Sequence, residues 1–506
     1  MRALRFRILL LILLMISLAV LPALPASAWT LVGSEAPGRI EYAHFPNQRT
    51  HAARPAIGAV VQWPGEATLS EARLVVDGTQ VARWTSGSAF IWRPPQALDP
   101  GRHEAMLEVT LAGYTPLQLA WSFEQAEPPA RPAVARDATA DTLGALNRFR
   151  AAAGLPPASA ADGLAQAAVH HAAYLAANSG TSGLDAHRQQ PSRRGFTGTT
   201  VGDRAYAFGW AGFRPNEGVV LSTRTLEPVA AFETLIDTVY HRLPFQVAGA
   251  TALGAGLSGG RYVVMVGQPA DSSGSGGVVA LSAVHVNVYP ADGQVGVPIA
   301  WDGRETPDPY RLFPGARPGG YPITAVLGCD RVFHCYDEVT VLSARLFREG
   351  GVGAGGGGDG SGGTGSSAGG TGSGAGAPVP VRLLTPDNDP FLRTPPAVAL
   401  LPVDALRPGT RYTAELSLRV RPHGAPAVTV ERRWSFTTRS DEDEYPVAAA
   451  PVRIEIDGRP LATAVPPIIA AGRVLAPFRA LAEALGADVA WDETAHRVTI
   501  TRRSER

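Results

Sequence analysis

Apolar and polar positions alternate over much of both halves of the chain. Between Trp29 and Phe123, runs such as "ARLVVDG" and "HEAMLEVTLAG" change face at each residue and stop at Gly or Pro. That pattern predicts half-buried strands. A Pro-Gly turn, a long strand and an aromatic-ended strand follow one another in Leu98–Val109 and Trp121–Phe123, and again in Leu406–Val420 and Trp434–Thr438. Both regions are therefore expected to be β-sandwiches. From Asp141 the period changes to helical. Leu143, Leu146 and Phe149 form one stripe, and Leu164, Ala168, His171 and Leu175 a second. Val229, Phe232, Ile236 and Val239 form a third, predicted to run on into "VYHRLPF", where Pro244 stops it. On that helix Glu233, Asp237 and His241 share another stripe, so a carboxylate could face the imidazole. Arg453–Arg502 reads as strand, Asp-Gly turn, strand, helix and two strands, a small α+β unit.

The 506 residues are too many for one hydrophobic core. Composition breaks divide them into 1–28, 29–123, a linker 124–140, 141–284, 285–438 with a Gly-rich insert at 350–378, a linker 439–451, and 452–503. Residues 1–28 have a basic start, an apolar centre and an Ala-Ser-Ala end, the pattern of a secretory signal peptide cut after Ala28. The alternative is an uncleaved anchor, and no later segment has the makings of a membrane span. The expected location is secreted or extracellular, with cell-wall association.

Charge narrows the chemistry. The chain has 45 basic and 45 acidic residues, which argues against a nucleic-acid partner. Every basic residue other than histidine is arginine, so lysine chemistry such as a Schiff base is excluded. The two cysteines, Cys329 and Cys335, are expected to form a local disulfide in an exported protein; a metal site with His334 is the weaker reading. No H-E-x-x-H is present. "GLSGG" (Gly256–Gly260) fits G-x-S-x-G on paper, but it precedes the strand "RYVVMVG", so Ser258 is read as a hairpin residue and not as a nucleophile.

Three resemblances follow from particular residues. "NRFRAAAGLPP", "HHAAYLAAN", "DAHRQQPSRRGFTG", "DRAYAFGW", "NEGVV", "FETLIDTVYHRLPF" and "GATALGAGLSGGRYVVMVG" in that order resemble the CAP superfamily (cysteine-rich secretory proteins, antigen 5, pathogenesis-related 1; also called SCP/PR-1-like) in its bacterial form. The resemblance implies a central α-β-α sandwich with a cleft lined by two histidines and two glutamates. Carried over, these are His187, Glu217 and His241. The second glutamate falls near Thr238, with Glu233 or Asp237 as the substitutes on the same helix. The second β region, starting near "VNVYPADGQVGVPIAW", resembles bacterial Ig-like domains, and both β regions are read as β-sandwiches of that type. The C-terminal unit, through Gly458, Pro467, Gly472, Arg473, Pro477, Arg479, Glu483, Leu485, Gly486, Trp491 and Asp492, resembles the copper amine oxidase N-terminal-like stalk domain. That resemblance implies an accessory module without copper chemistry, His496 being its single histidine.

Two imidazoles with one or two carboxylates can bind a divalent metal such as zinc through His187 and His241, act as general acid and base, or form a hydrogen-bonded network that holds the fold. His171, on an apolar stripe, is read as a satisfied core histidine. The favoured function is an extracellular binding module for a small apolar ligand, a metal ion or a wall component, with no catalytic residue assigned and no cofactor required. The alternatives are a CAP-type hydrolase acting on peptides or wall polymers, and a purely structural surface protein.

Overall fold

Strand alternation becomes two facing sheets in the first β unit. The computed structural model describes residues 27–31, 40–63, 67–178, 180–270, 284–328, 335–349, 376–440, 454–457, 459–461, 468–470, 473–475, 478–492 and 497–502. The leader up to residue 26, Cys329, His334, His496 and nearly all of the Gly-rich insert lie outside them. The first unit comprises β1 (Ser27–Leu31), β2 (Glu41–Phe45), β3 (Gln48–Thr50), β4 (Ile57–Gln62), β5 (Leu69–Val76), β6 (Thr79–Trp84), β7 (Ala89–Trp92), β8 (Gly101–Leu111) and β9 (Leu117–Gln125). One sheet runs β1-β9-β8-β5-β6, with β3 parallel to β9, and the other runs β2-β4-β7. Every second residue of β8 and β9, from Ala105 to Leu111 and from Leu117 to Phe123, is buried against Ile57, Ala59, Val61 and Phe90 of the smaller sheet. Ser27 and Ala28, on the leader side of the expected cut, already pair with Trp121 and Ala120.

In the central unit the chain forms β10 (Arg136–Asp137), α1 (Thr139–Ala152), β11 (Ser159–Ala160), α2 (Asp162–Ala177), α3 (Val201–Ala207), β12 (Gly212–Leu221), α4 (Pro228–Ile236), α5 (Leu243–Gln246), β13 (Ala252–Ser258) and β14 (Arg261–Pro269). The sheet order is β10-β13-β14-β12, with β11 parallel to β13. Neighbouring residues of β14 enter different cores. Val264 and Val266 meet Leu146 and Phe149 of α1 and Phe232 of α4, whereas Val263 and Met265 meet Leu164, Ala168 and Ala172 of α2. Two glycines let α2 lie directly on the sheet: a Cβ at Gly254 would strike the backbone of Leu164 and Ala165, and one at Gly256 that of Ala168 and Val169. Ser258 ends β13 at the hairpin into β14, as the sequence predicts.

The third helical stripe is shorter than its period suggests. α4 stops at Ile236, and Thr238–Arg242 are turns and bends before α5. Side chains take up the last helical carbonyls: the Thr238 hydroxyl donates to Leu235 O at 2.7 Å, and the Arg242 guanidinium donates to Ile236 O. The expected Glu233–Asp237–His241 face does not form as a helical stripe.

Arg242 is fully buried and reaches into the next unit. Its guanidinium lies 4.7 Å from the Tyr289 ring centre and 4.9 Å from that of Tyr321, and donates to Pro322 O at 2.8 Å. That unit contains β15 (His285–Tyr289), β16 (Ile323–Gly328), β17 (Tyr336–Arg348), β18 (Ala377–Val379), β19 (Val381–Leu384), β20 (Ala397–Pro402), β21 (Arg411–Pro422) and β22 (Val428–Thr437). Sheets β15-β16-β20-β19 and β18-β17-β21-β22 share a core of Ile323, Ala325, Leu400, Leu416, Leu418, Trp434 and Phe436, continuous with that of α1 and α4. The repeated sequence order becomes a repeated pairing, with Trp121 opposite Ala105 and Trp434 opposite Ala414. Cys335, just ahead of β17, is disulfide-bonded.

The last unit holds β23 (Glu455–Ile456), β24 (Arg459–Pro460), β25 (Ile468–Ala470), β26 (Arg473–Leu475), α6 (Phe478–Ala484), β27 (Ala487–Asp492) and β28 (Arg497–Arg502). Its strands pair as the antiparallel hairpins β23-β24, β25-β26 and β27-β28. The chain is thus multidomain and strand-rich. No helix among the described residues is long and apolar enough to cross a membrane.

Candidate functional site

Glu217 sits on β12, just past an irregularity in its pairing with β14 between Phe213 and Asn216. Its carboxylate is buried, and three side chains from other elements gather on Oε1. Arg204 Nη2 donates at 2.7 Å, His187 Nδ1 donates at 3.1 Å, and His171 Nε2 stands 3.6 Å away. Arg204 is presented by α3, whose start is fixed by a reciprocal capping box between Thr200 and Asp203. It too is fully buried, and it also donates to Gly198 O, Thr199 O and His187 O at 3.3 Å. Burial alone would push the Glu217 carboxyl upward. The Arg204 charge, with the two histidines, outweighs it and holds the pKa at about 2. Glu217 Oε2 is buried and has no hydrogen-bond partner among the described residues.

His171 comes from the inward stripe of α2. Its Nε2 donates to Ala186 O at 2.8 Å, and its Nδ1 accepts from the Gln189 amide at 2.9 Å. Both ring nitrogens are satisfied in the neutral form, and burial lowers its pKa to about 4. The core reading of His171 therefore describes its hydrogen bonding, and the same residue borders the carboxylate as well. With His171 neutral at neutral pH, Arg204 is the permanent positive charge beside Glu217.

His187 ends a short 3-10 helix (Gly183–His187), and its side chain is a quarter exposed. Its ring lies 6.3 Å, centre to centre, from that of His241. The fold therefore brings together His187, Glu217 and His241 from three separated stretches of chain. It does not bring in Glu233 of α4 or Asp237 just past its end. Glu233 is exposed, and Asp237 accepts from Tyr321 OH at 2.8 Å.

The carboxylate that His241 does meet is Glu305, from the segment between β15 and β16. Glu305 Oε1 accepts from His241 Nδ1 at 2.8 Å, Tyr240 N at 2.7 Å and His241 N at 3.0 Å, while Oε2 accepts from Val239 N at 2.8 Å. Its side chain is fully buried. Three consecutive backbone N–H groups converging on one anion form a nest. Sequence reasoning missed Arg204, Gln189 and Glu305. The first two lay within quoted motif stretches, but Glu305 lies in "DGRETPDPY", a proline-containing stretch of another unit with no periodic signal.

With this geometry in place, the family comparisons fall into register. Residues 143–265 match the model of the cysteine-rich secretory protein family, the CAP domain, and that span contains His187, Glu217 and His241. Residues 455–506 match the copper amine oxidase N-terminal domain. The chain thus combines a CAP domain with a C-terminal module of that second type. Glu305 lies outside both matched spans. A search of curated proteins returns no match to the chain.

Proposed function

We propose that the chain is an exported protein whose central unit, 141–284, is an α-β-α sandwich of CAP type that binds a divalent cation such as zinc through His187 and His241. The β units 29–123 and 285–438 act as Ig-like supports, and 452–503 is an accessory module without copper chemistry. The observation that carries the reading is the state of the two rings. Each places its Nδ1 within hydrogen-bond distance of a buried carboxylate, which can only accept, so in the neutral ring the proton sits on Nδ1 and Nε2 carries the lone pair. This is the outer-shell arrangement that orients metal-binding histidines and raises their basicity.

The donor set fits a weakly held ion. Glu217 Oε2 is a buried carboxylate oxygen without a donor, which suits a neighbouring cation or a water that the cation carries. Among the described residues no group of three or more His, Cys, Asp or Glu stands in a metal-holding arrangement, so water would complete the shell. When bound, the ion supplies a Lewis-acidic centre at the rim of the cleft. Turnover is not part of the reading. Glu217, held at about 2, is a poor general base near neutral pH, and Glu305 already accepts four hydrogen bonds.

Zinc titration of the purified full chain, wild type and His241→Ala, tests the proposal. One ion per chain, chelator-reversible and lost in the variant, is the expected result. Equal binding by both proteins, or none by the wild type, overturns it. Chelator-sensitive cleavage of peptides or wall fragments by the wild type would move the reading to hydrolysis. Cell-wall association and the leader cut after Ala28 are checked by fractionation and N-terminal sequencing of the exported protein.

A further inference from the structure

We infer that the cleft is built by two units of the chain, and that Glu305 is the positioning residue that sets the orientation and tautomer of His241. Turn 238–242 has no carboxylate of its own. Thr238, where the family resemblance sets the second glutamate, turns its hydroxyl back onto Leu235 O at 2.7 Å. The acid arrives from the third unit instead. Its side chain is fully buried, and it meets only donors: three successive backbone N–H groups and the imidazole Nδ1.

A group surrounded only by donors accepts from all of them. A carboxylate can only accept from the ring, so in neutral His241 the proton resides on Nδ1 and Nε2 carries the lone pair. The same carboxylate fixes the turn backbone on which the ring is mounted, so ring position and ring tautomer are set by one side chain. Neighbouring contacts hold that side chain in register. Tyr240 OH donates to Asp389 Oδ2 at 2.5 Å, and Arg311 Nη2 pairs with Asp389 Oδ1 at 2.6 Å. The Gln246 side chain and the Asn287 backbone meet at 3.2 Å, and the Asn287 side chain returns to Gln246 O at 3.1 Å. With Arg242 between Tyr289 and Tyr321, these contacts make the third unit a wall of the cleft as well as a support.

The inference rests on the zinc reading in one arm of its test and not in the other. The full-length chain is compared with Glu305→Gln and Glu305→Ala. In the first arm, nitrogen-detected histidine spectra are recorded without metal. Wild type is expected to show the His241 proton on Nδ1, Glu305→Gln to shift both ring-nitrogen signals, and Glu305→Ala to release the ring to a mixture of tautomers. In the second arm, zinc affinity is expected to fall about 10- to 100-fold, the usual effect of removing a residue that orients a metal-binding histidine.

If Glu305→Ala does not fold, Glu305→Gln decides alone, because it keeps the volume and one accepting oxygen while removing the charge and the second acceptor. Ring signals and zinc affinity both unchanged in a folded Glu305→Gln would reduce Glu305 to a strut between units and overturn the inference. A wild type that binds no zinc would sink the metal reading but leave the first arm to decide the role of Glu305.

Discussion

Replacing Arg204 with methionine isolates the main electrostatic element of the site. The guanidinium and the Glu217 carboxylate are each at most 1% exposed, so little solvent screens them. Holding the carboxyl at about 2 rather than at the ordinary 4.5 corresponds to about 3 kcal/mol, at about 1.4 kcal/mol per pH unit. Because the native pKa is the lower one, this contribution is fully present above pH 4.5. It is lost as the pH falls toward 2, where the unfolded chain takes up its proton first. Arg204→Met leaves the carboxylate buried without its counter-charge, a change that costs about 3–5 kcal/mol. Burial then pushes the Glu217 pKa upward, so the deficit should be largest at pH 7 and should narrow on acidification.

A chain of several units need not unfold in one step, so the measurement should be local: hydrogen-exchange protection of the β12 backbone at pH 7, 5 and 3.5, corrected for intrinsic exchange. A variant whose protection falls by the same amount at all three pH values would show that Arg204 acts through packing and its carbonyl contacts, and not through charge.

Three further outcomes follow from the described contacts. His171 has its pKa lowered to about 4 by burial, so its stabilisation is complete above pH 6.5 and is lost as the pH falls toward 4; hydrogen-exchange protection of the α2 backbone in the wild type at pH 7 and 5, corrected for intrinsic exchange, should reflect about 2 kcal/mol from this ring, and His171→Gln should flatten that slope. Arg242→Ala should weaken docking of the third unit by about 3 kcal/mol and open its junction to limited proteolysis, and Arg242→Lys should not restore it, because an ammonium cannot both stack between Tyr289 and Tyr321 and serve the same carbonyls. Peptide mapping should find Cys335 bonded to Cys329, and reduction should leave the unit folded, since the short loop gains less than the roughly 3 kcal/mol expected for 15 residues.

Much of the architecture is legible as period. The alternation of β8, β9 and β21 reappears as their burial, and the helical stripes of α1 and α2 face the cores they predict. His187, Glu217 and His241 are legible through the order of the CAP-like stretches. The part that is hidden has a common physical origin. Periodicity reports which side of an element faces inward, but not which distant side chain it meets there. His171 and Arg204 both point inward, and it is β12 that supplies the acid between them. The carboxylate opposite His241 lies 64 residues downstream, in a stretch whose prolines and turn residues carry no facial pattern. The helix overrun has a different cause: the apolar position at Val239 keeps the period going, while the side chains of Thr238 and Arg242 end the helix by taking its last carbonyls.

The alternating glycines of β13 bear on how this sequence can drift. Leu253, Ala255 and Leu257 can each exchange methyl groups with a core that repacks around them. Positions 254 and 256 are closed, because the nearest neighbour there is the backbone of α2 and not a yielding side chain. A single methyl at either position would lift the helix from the sheet, and His171 rides on that helix. The strand is therefore tolerant at Leu253, Ala255 and Leu257 and intolerant at the two glycines between them. How far a lineage can wander before the cleft loses its alignment is governed there by two residues that have no side chain to lose.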